Sequence, residues 1–387
     1  MKEFIVLFLM FSCIGCAKND NSEKDSTDNM STALWSQNFQ SSIKLIENLT
    51  ISGIDEQDRF TFYYMPKITT DDSGNIYVGD NGTATITKFS KKGKFLQKWG
   101  KRGQGPGEIS EIRVLFFNNT NNELLLYDWH QQRIVSYSSN GAFINLFRIA
   151  SNKLPFTPYQ ISNNSKGNFI CTGKLGSSPY IIHKFSNQWK HIISFGHYEA
   201  LNKEFQLYER IGVLGNEYCL LAADGNLFTT KATYDYKIRL FSNEKLMKIT
   251  KRESPFTEFY KADDLSQKST GGSIFDRAYG NQKDIKEEEY DWYMSYNSQK
   301  YGIKRFSRSF GIYQLNDGSI LNFISQGRKD KEKRLVEVYT PNGQFVHCLS
   351  VIFNSDKEQK FDIVHKDKFD NFYAFRGEQL KRFQIKR

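Results

Sequence analysis

The chain has 387 residues, of which 39% are hydrophobic, 15% aromatic and 25% charged, and its formal net charge is +10. This balance excludes a chain that is disordered throughout, because enough apolar side chains are present to bury a core. The longest uninterrupted apolar run, Phe4 to Phe11, is far shorter than the roughly 20 residues of a membrane-spanning helix, which excludes a polytopic membrane protein.

Residues 1–15 have the organisation of an export signal peptide. Lys2 precedes the apolar run, and small residues lie just before Cys16. The end of this segment resembles the lipobox of bacterial lipoproteins, which implies that a signal peptidase cleaves before Cys16 and that Cys16 carries the lipid. Cys13 and Ile14 depart from the lipobox pattern, so a secretory signal cleaved at another position is the alternative.

Residues 16–40 are predicted to be the lipidated cysteine and a flexible tether. The stretch AKNDNSEKDSTDNMST, at 17–32, has almost no side chain to bury. Ala17 directly after the cysteine resembles the pattern of outer-membrane lipoproteins. The expected location is therefore an anchor in the outer membrane, on the periplasmic side or at the cell surface.

A degenerate repeat occupies most of the remaining chain. Its clearest copy is DDSGNIYVGD at 71–80, followed by TITKFSKKGKFLQKWG at 85–100. In five copies the aromatic residue that ends a strand precedes a hydroxyl residue. These pairs are Phe89-Ser90, Tyr137-Ser138, Phe185-Ser186, Phe241-Ser242 and Tyr339-Thr340. Each copy contains short β-branched and aromatic runs separated by turn residues, which predicts antiparallel hairpins.

Six copies are present, and a further apolar run precedes each hairpin, which gives four strands per copy. Residues 41–387 are therefore predicted to form an all-β, six-bladed β-propeller of four-stranded antiparallel blades. The sixth copy reaches only its third strand, at Leu380–Lys386. We predict that Ser42–Ser52 pairs beside this strand as the missing outer strand, so that the last blade contains both ends of the propeller.

The first copy and the segment GKRGQGPGE that follows it, at 100–108, carry a family resemblance. They resemble an NHL-type repeat and, more closely, the six-bladed propeller lipoproteins common in Bacteroidetes. The resemblance covers about residues 40–387. It implies the architecture and the location, and it implies no particular activity, because members of that family mostly lack an assigned biochemical role.

A binding site is expected where the connections between blades meet, at one mouth of the central channel. A Gly-rich loop lies there, flanked by Arg102 and Arg113, and the neighbouring turn carries Trp129, His130 and Arg133. These five residues are candidates for ligand contact, with a cationic side chain facing an anionic group. The alternatives are that the Gly-rich loop is only a tight turn and that the second turn is solvated.

Residues of about 251–308 form a long insertion between blades 4 and 5, and Asp284 to Tyr301 has the composition and spacing of a helix. Tyr290, Trp292 and Tyr293 offer aromatic faces that suit sugar rings or a peptide, so they are also candidates for ligand contact. The alternative is that these rings fix the insertion to the propeller.

The predicted function is a non-catalytic binding or scaffold module that engages a glycan, a peptide or another envelope protein at the channel mouth. The alternative is a metal-dependent hydrolase, lactonase or lyase that uses Glu108, Glu111, Glu217 or Asp362 in the channel. No nucleophile, base and orienting group is recognisable, so no catalytic residue is assigned. No cofactor is predicted, and a divalent metal belongs to the alternative alone.

The positive charge raises the question of nucleic acid. Basic residues are scattered through all six copies, no nucleic-acid-binding motif is present, and the export signal directs the chain away from DNA. The charge therefore favours anionic partners in the cell envelope, and the expected partners are the membrane and an envelope ligand.

Overall fold

The computed structural model describes residues 33–36, 42–54, 57, 59–62, 64–151, 154–176, 178–197, 217–232, 237–252, 258–259, 303–327, 333–354 and 361–386. Within these ranges the only helical element is a short 3₁₀ helix, η1 (Leu34–Ser36). The described part of the chain has no helix of the length and hydropathy that crossing a membrane requires. The predicted helix between Asp284 and Tyr301 lies outside the described residues.

The described residues otherwise form strands that are grouped in fours. The first half of the chain contains β1 (Ser42–Ser52), β2 (Lys67–Thr70), β3 (Ile76–Asp80), β4 (Thr85–Phe89), β5 (Phe95–Trp99), β6 (Ile112–Asn118), β7 (Glu123–Asp128), β8 (Arg133–Ser138), β9 (Phe143–Phe147), β10 (Ala150–Ser151), β11 (Leu154–Asn163), β12 (Phe169–Leu175), β13 (Tyr180–Phe185) and β14 (His191–His197). The second half contains β15 (Glu217–Leu221), β16 (Leu227–Lys231), β17 (Lys237–Ser242), β18 (Lys245–Lys251), β19 (Glu258–Phe259), β20 (Ile303–Gln314), β21 (Ile320–Gly327), β22 (Lys333–Tyr339), β23 (Phe345–Asn354), β24 (Ile363–Lys366), β25 (Asn371–Arg376) and β26 (Gln379–Lys386).

Six blades surround a central channel, as the sequence predicts. The first strands of successive blades are β2, β6, β11, β15, β20 and β24; each contacts the next, and β24 contacts β2. Each blade continues outward through three further antiparallel strands. The short strands β10 and β19 add to the inner edges of blades 3 and 5.

The N-terminal strand β1 closes the ring, which confirms the predicted pairing. It runs antiparallel to β26, from Lys44 opposite Lys386 to Ser52 opposite Gln379. The structure adds a contact that the sequence did not predict, because β1 also runs parallel to β23, from Ser42 opposite Ser350 to Ile46 opposite Asn354. Blades 5 and 6 are therefore joined through β1 into one nine-stranded sheet.

The hydrophobic core is divided among the interfaces between blades. One apolar cluster lies at each of the six interfaces. An aromatic residue near the end of the third strand of each blade belongs to one of these clusters and is at most 4% exposed. These residues are Phe89, Tyr137, Phe185, Phe241, Tyr339 and Phe383. Aromatic side chains therefore fill the thin interfaces between the blades, which accounts for the high aromatic content of the chain.

The hydroxyl residue that follows the aromatic shapes the turn to the outer strand. Ser90 Oγ accepts hydrogen bonds from the backbone N–H groups of Lys92 and Lys94, at 3.3 and 3.2 Å. The hydroxyls of Ser138 and Ser186 accept the same pair of bonds in blades 2 and 3. A short hydroxyl side chain is therefore repeated because it satisfies the backbone donors of the turn.

A buried aspartate organises the turn between the first and second strands of blades 1 and 6. Asp367 accepts hydrogen bonds from the backbone of Phe369 and Asn371, from the Asn371 side chain and from the hydroxyl of Tyr373, at 2.8–2.9 Å. Asp71 makes the equivalent four bonds in blade 1, including one of 3.0 Å from Tyr77.

The other four copies lack both members of this pair. Asn118, Asn164, Ala222 and Leu315 stand at the aspartate position, and Leu125, Ile170, Phe228 and Leu321 stand at the tyrosine position. A tyrosine is present only where a carboxylate is available to accept its hydroxyl, as expected for a buried polar group. Burial, followed by the Asp71 charge, raises the pKa of Tyr77 far above its usual range, so this hydroxyl stays protonated.

We expect Asp367→Ala to lower the free energy of unfolding by about 2–3 kcal/mol, because it leaves buried donors without an acceptor. Asp224→Ala is the matched control, since Asp224 is exposed and bonds only to Asn226. Its cost should stay below about 1 kcal/mol. Urea denaturation followed by tryptophan fluorescence measures both, and equal costs would contradict the assigned role of the buried carboxylate.

Candidate functional site

The top face of the propeller carries the connections between blades and the turns between second and third strands. The opposite, bottom face carries the remaining turns and the N-terminal end of the described chain. There the Leu34 N–H donates to Asp317 Oδ2 at 3.0 Å, and the Trp35 N–H donates to Ser319 Oγ at 3.1 Å. The chain thus enters the propeller on the face opposite the predicted site.

An aspartate at the end of the second strand fixes each connection that enters blades 1 and 2 on the top face. Asp128 accepts hydrogen bonds from the N–H groups of Ser110 and Glu111, both at 3.1 Å. Asp80 accepts one from the Tyr64 N–H at 2.9 Å. Both aspartates are at most 2% exposed, so these loops are attached to the rigid strands beneath them.

The Gly-rich loop is held from below by Arg133. Its Nη1 donates to the Gln104 carbonyl at 2.8 Å, and its Nη2 donates to the Glu108 carbonyl at 2.9 Å and lies 3.4 Å from Asp128 Oδ2. The Arg133 side chain is only 5% exposed. The structure therefore places this predicted ligand-binding residue in the support of the loop, and its contact with a ligand stays a prediction.

Glu108 folds back over the glycines of the same loop. Its Oε2 accepts a hydrogen bond from the Gly105 N–H at 2.9 Å, and its Oε1 lies 2.9 Å from Lys101 Nζ, a contact that lowers the pKa of Glu108. A Cβ at Gly103 would lie 2.0 Å from Glu108 Oε2, so a larger residue there would displace the Glu108 carboxylate from this position. Gly107 has a backbone φ of 70°, in the left-handed region that glycine adopts without strain, so glycine is favoured at this position.

A recess of about 460 Å³ opens on the top face between blades 1 and 2. Four loops meet around it: the connection into blade 1, the Gly-rich connection into blade 2, and the turn between second and third strands of each of these blades. The lining residues are Tyr64, Met65, Asn81, Gly82, Arg102, Ser110, Glu111 and His130. Two of the predicted residues, Arg102 and His130, therefore line one cavity.

Arg102 ties the Gly-rich loop to the neighbouring blade. Its Nη2 donates to the carbonyls of Asn81 and Gly82, at 2.6 and 3.1 Å, and its Nη1 donates to the Ser110 carbonyl at 3.1 Å. These acceptors are neutral, so they orient the guanidinium without cancelling its charge. Arg102 stays exposed at the wall of the recess.

Two further contacts border the recess. His130 Nε2 lies 2.9 Å from Glu111 Oε2, and the side chains are 63% and 27% exposed. The guanidinium of Arg113 lies 5.3 Å from the ring centroid of Trp129, in a cation–π contact. Trp129 is 36% exposed and Arg113 is partly buried on the inner strand β6. Trp129 immediately precedes His130, so four of the five predicted residues lie together.

Sequence reasoning missed Tyr64, Met65 and Asn81. A signal for Asn81 exists, because it follows Asp80 as Trp129 follows Asp128, and its side chain bonds to both backbone groups of Ile112. Tyr64 and Met65 lie in a connection without periodicity, so no pattern marks them. The predicted residues Cys16, Tyr290, Trp292 and Tyr293 lie outside the described residues.

The four carboxylates named for a catalytic alternative do not converge. Glu108 and Glu111 bond to Lys101 and His130, as described above. Glu217 is 4% exposed and accepts a hydrogen bond from Thr229 Oγ1 at 2.7 Å, and Asp362 lies 2.7 Å from Arg334. Within the ranges that the structure describes, no three His, Cys, Asp or Glu side chains are grouped so that they can hold a metal ion.

The fold and this site define an all-β propeller with an elaborated top face. The chain belongs to DUF5128, a family described as a 6-bladed beta-propeller, whose profile matches residues 18–304. None of the curated proteins matches the sequence.

Two solved structures share the fold. A member of the DUF4221 family from Bacteroides vulgatus is 10% identical, with a TM-score of 0.55, and the match covers 90% of this chain and 99% of that chain. A candidate exported protein from Bacteroides fragilis is 13% identical, with a TM-score of 0.54, and the match covers 90% and 100%. At these identities the likeness concerns the fold alone.

Proposed function

We propose that this protein is an exported, lipid-anchored propeller that binds a glycan in the recess between blades 1 and 2 and performs no catalysis. The observation that carries the proposal is the recess itself, a cavity of about 460 Å³ built by loops that buried aspartates and arginines hold in place. A preformed cavity on a rigid scaffold is the usual form of a small-ligand site.

The lining of the recess favours a carbohydrate over a peptide. Ser110, Glu111 and His130 offer hydrogen-bond donors and acceptors at the surface of the recess, whereas the buried side chain of Asn81 is bonded to Ile112. Tyr64, which is 56% exposed, offers an aromatic face at the rim. An aromatic ring next to groups that can hydrogen-bond to hydroxyls suits a sugar, because a sugar ring has apolar faces and a polar edge.

The backbone at the rim supports the same proposal. Met65 has φ of 47°, a conformation that few residues other than glycine adopt. Backbone strain of this kind persists where the surrounding structure enforces it, and it is concentrated at binding sites. The Met65 side chain is 46% exposed, so burial of the side chain does not explain the strain.

The location and the repeat type are part of the proposal. The lipobox-like end of the signal, with Cys16, and the tether that follows support an anchor in the outer membrane, and the NHL-like pattern supports kinship with propeller lipoproteins. Because the chain enters on the bottom face, at Asp317 and Ser319, the recess would face away from the membrane that holds the tether.

A glycan array probed with the full chain, purified in detergent, tests the proposal. We expect binding to a subset of glycans, and Tyr64→Ala should reduce the affinity roughly tenfold or more. Tyr64→Ala should fold normally, since the Tyr64 backbone, and not its ring, bonds to Asp80. Lys166→Ala, in an exposed turn of the bottom face, is the control.

Binding that is unchanged in Tyr64→Ala would exclude the recess as the site. Binding of peptides alone would replace the glycan with a peptide ligand. Release of shorter products from the bound glycan would support the catalytic alternative instead.

A further inference from the structure

Two cationic residues lie near the starts of neighbouring inner strands, at the upper end of the channel and beside the connections that build the recess. Lys67 is the first residue of β2, and Arg113 is the second residue of β6, the inner strand that contacts β2. The two strands are joined by a hydrogen bond from the Phe117 N–H to Thr69 Oγ1 at 3.2 Å. The channel wall therefore fixes the two positive charges near each other.

Neither cation has a carboxylate partner in the part of the chain that the structure describes. Arg113 contacts only the ring of Trp129, and the partly buried ammonium of Lys67 makes no hydrogen bond or ion pair there. Burial, together with the charge of Arg113, lowers the pKa of Lys67, while Glu111 opposes this. An unpaired, partly desolvated charge costs folding free energy, so its retention requires a reason.

The neighbouring charges do not supply that reason. Glu111 is the one carboxylate that lines the recess, and it is already bonded to His130. Arg102 adds a third positive charge at the wall, with only carbonyl oxygens as its partners. The buried carboxylates at this end, Asp80 and Asp128, are bonded to loop N–H groups, and Asp128 also lies beside Arg133. Among the described residues, none of the three cations therefore has a direct carboxylate contact.

We propose that Lys67 and Arg113 form a subsite for an acidic group of the ligand, a carboxylate or a sulfate on the bound glycan. The subsite rests on the proposed glycan site and extends it from the recess into the channel mouth. Arg113 presents a planar pair of donors and Lys67 a point charge, which suits an oxyanion held between them. The ring of Trp129 keeps the Arg113 guanidinium oriented.

The test measures binding of the full chain to three polysaccharides of defined charge. Polygalacturonate carries carboxylates, dextran sulfate carries sulfates, and dextran is neutral. We expect at least one charged polymer to bind roughly tenfold or more tightly than dextran. Lys67→Gln and Arg113→Gln should each remove most of that preference, and Arg113→Lys should retain part of it. Lys166→Gln removes the same charge from the bottom face and should change nothing.

A stability measurement separates this role from a structural one. Because Lys67 is unpaired beside Arg113, Lys67→Gln should raise the melting temperature by about 2 °C while weakening binding. A lower melting temperature would show that Lys67 supports the fold and would overturn its assignment to the subsite.

The remaining outcomes are distinguishable. Equal affinity for all three polymers, or an equal loss in Lys166→Gln, would overturn the acidic subsite and leave the glycan recess standing if Tyr64→Ala still weakens binding. Absence of binding to any glycan would instead overturn the proposed function.

Discussion

Replacing Glu337 by alanine is expected to lower the free energy of unfolding by about 3–5 kcal/mol, because the replacement leaves the partly buried Arg252 and two buried donors without their acceptor. Glu337 lies on β22 and is fully buried. Its Oε1 lies 2.5 Å from Arg252 Nη1, and its Oε2 accepts hydrogen bonds from Tyr339 and from the amide of Asn322, at 2.7 and 3.2 Å.

The network around Glu337 is ordered by a further bond. Ser309 Oγ donates to Asn322 Oδ1 at 2.7 Å, so the Asn322 nitrogen faces the carboxylate. A substitution at one residue of this network therefore changes the hydrogen bonds of another. The losses in unfolding free energy measured for single variants should not sum to the loss in a multiple variant. Arg252 continues directly from blade 4, so the network joins blades 4 and 5 where the long insertion begins.

Glu337→Gln distinguishes charge from hydrogen bonding, because it keeps the shape and an acceptor but loses the negative charge. We expect it to cost less than Glu337→Ala, and Tyr339→Phe to cost about 1 kcal/mol. Glu378→Ala, at an exposed turn in blade 6, is the control and should stay within about 0.5 kcal/mol. Guanidinium denaturation measures all four variants, and a Glu337→Ala cost below that of Tyr339→Phe would contradict the network.

A second large loss of folding stability is expected when the pH is lowered, and it depends on His183. This side chain is fully buried in blade 3, with Nδ1 2.8 Å from Ser194 Oγ and Nε2 3.2 Å from the Gly173 carbonyl. The Gly173 carbonyl can only accept, so the hydrogen-bond network assigns the proton to Nε2 and makes Nδ1 the acceptor. Burial lowers the pKa of His183 to about 4.

The direction of the pH effect follows from that pKa. Unfolded His183 binds a proton near pH 6.5, whereas the folded protein resists protonation until about pH 4. The folded state is thus fully favoured above pH 6.5, and its stability falls as the pH drops from 6.5 to 4. The loss from this one group is about 3 kcal/mol. Burial lowers the pKa of His365 to about 4 as well, so it acts in the same direction.

Denaturation curves at pH 7.5 and pH 4.5 measure this loss. His183→Gln should reduce the difference between the two pH values by about 2.5 kcal/mol, because pH 4.5 is still above the folded pKa, although the variant is less stable than the parent at pH 7.5. His197→Gln, at an exposed position in the same blade, should leave the difference unchanged. The same pH dependence in all three proteins would rule out His183 as its source.

The sequence predicted the strands and turns that recur in each copy and depend on interactions between residues close in the chain. The aromatic and hydroxyl pairs, such as Phe89 and Ser90, marked the ends of third strands, because the ring fills a blade interface and the hydroxyl satisfies a turn. The incomplete sixth copy predicted that Ser42–Ser52 would pair with the last strand, and the structure confirms this pairing. Counting strands was sufficient there, since a propeller has no free place for a leftover strand.

The rest of the site depends on loops that carry no period. Arg102 and His130 were recognisable as charged residues near a Gly-rich loop, but Tyr64 reaches them only through the connection from the N-terminal strand. The parallel pairing of β1 with β23 was equally hidden, because the sequence of β1 is compatible with one partner or two. Such contacts arise from the closure of the ring and not from any local preference.

The position of β1 also determines how the molecule responds to mechanical force. β1 begins at Ser42 and is hydrogen-bonded along both edges, to β23 and to β26. A pull on its N-terminal end runs along the strand, so it loads both ladders in shear, with many bonds sharing the force at once. Force applied at this end is therefore distributed over blades 5 and 6 together.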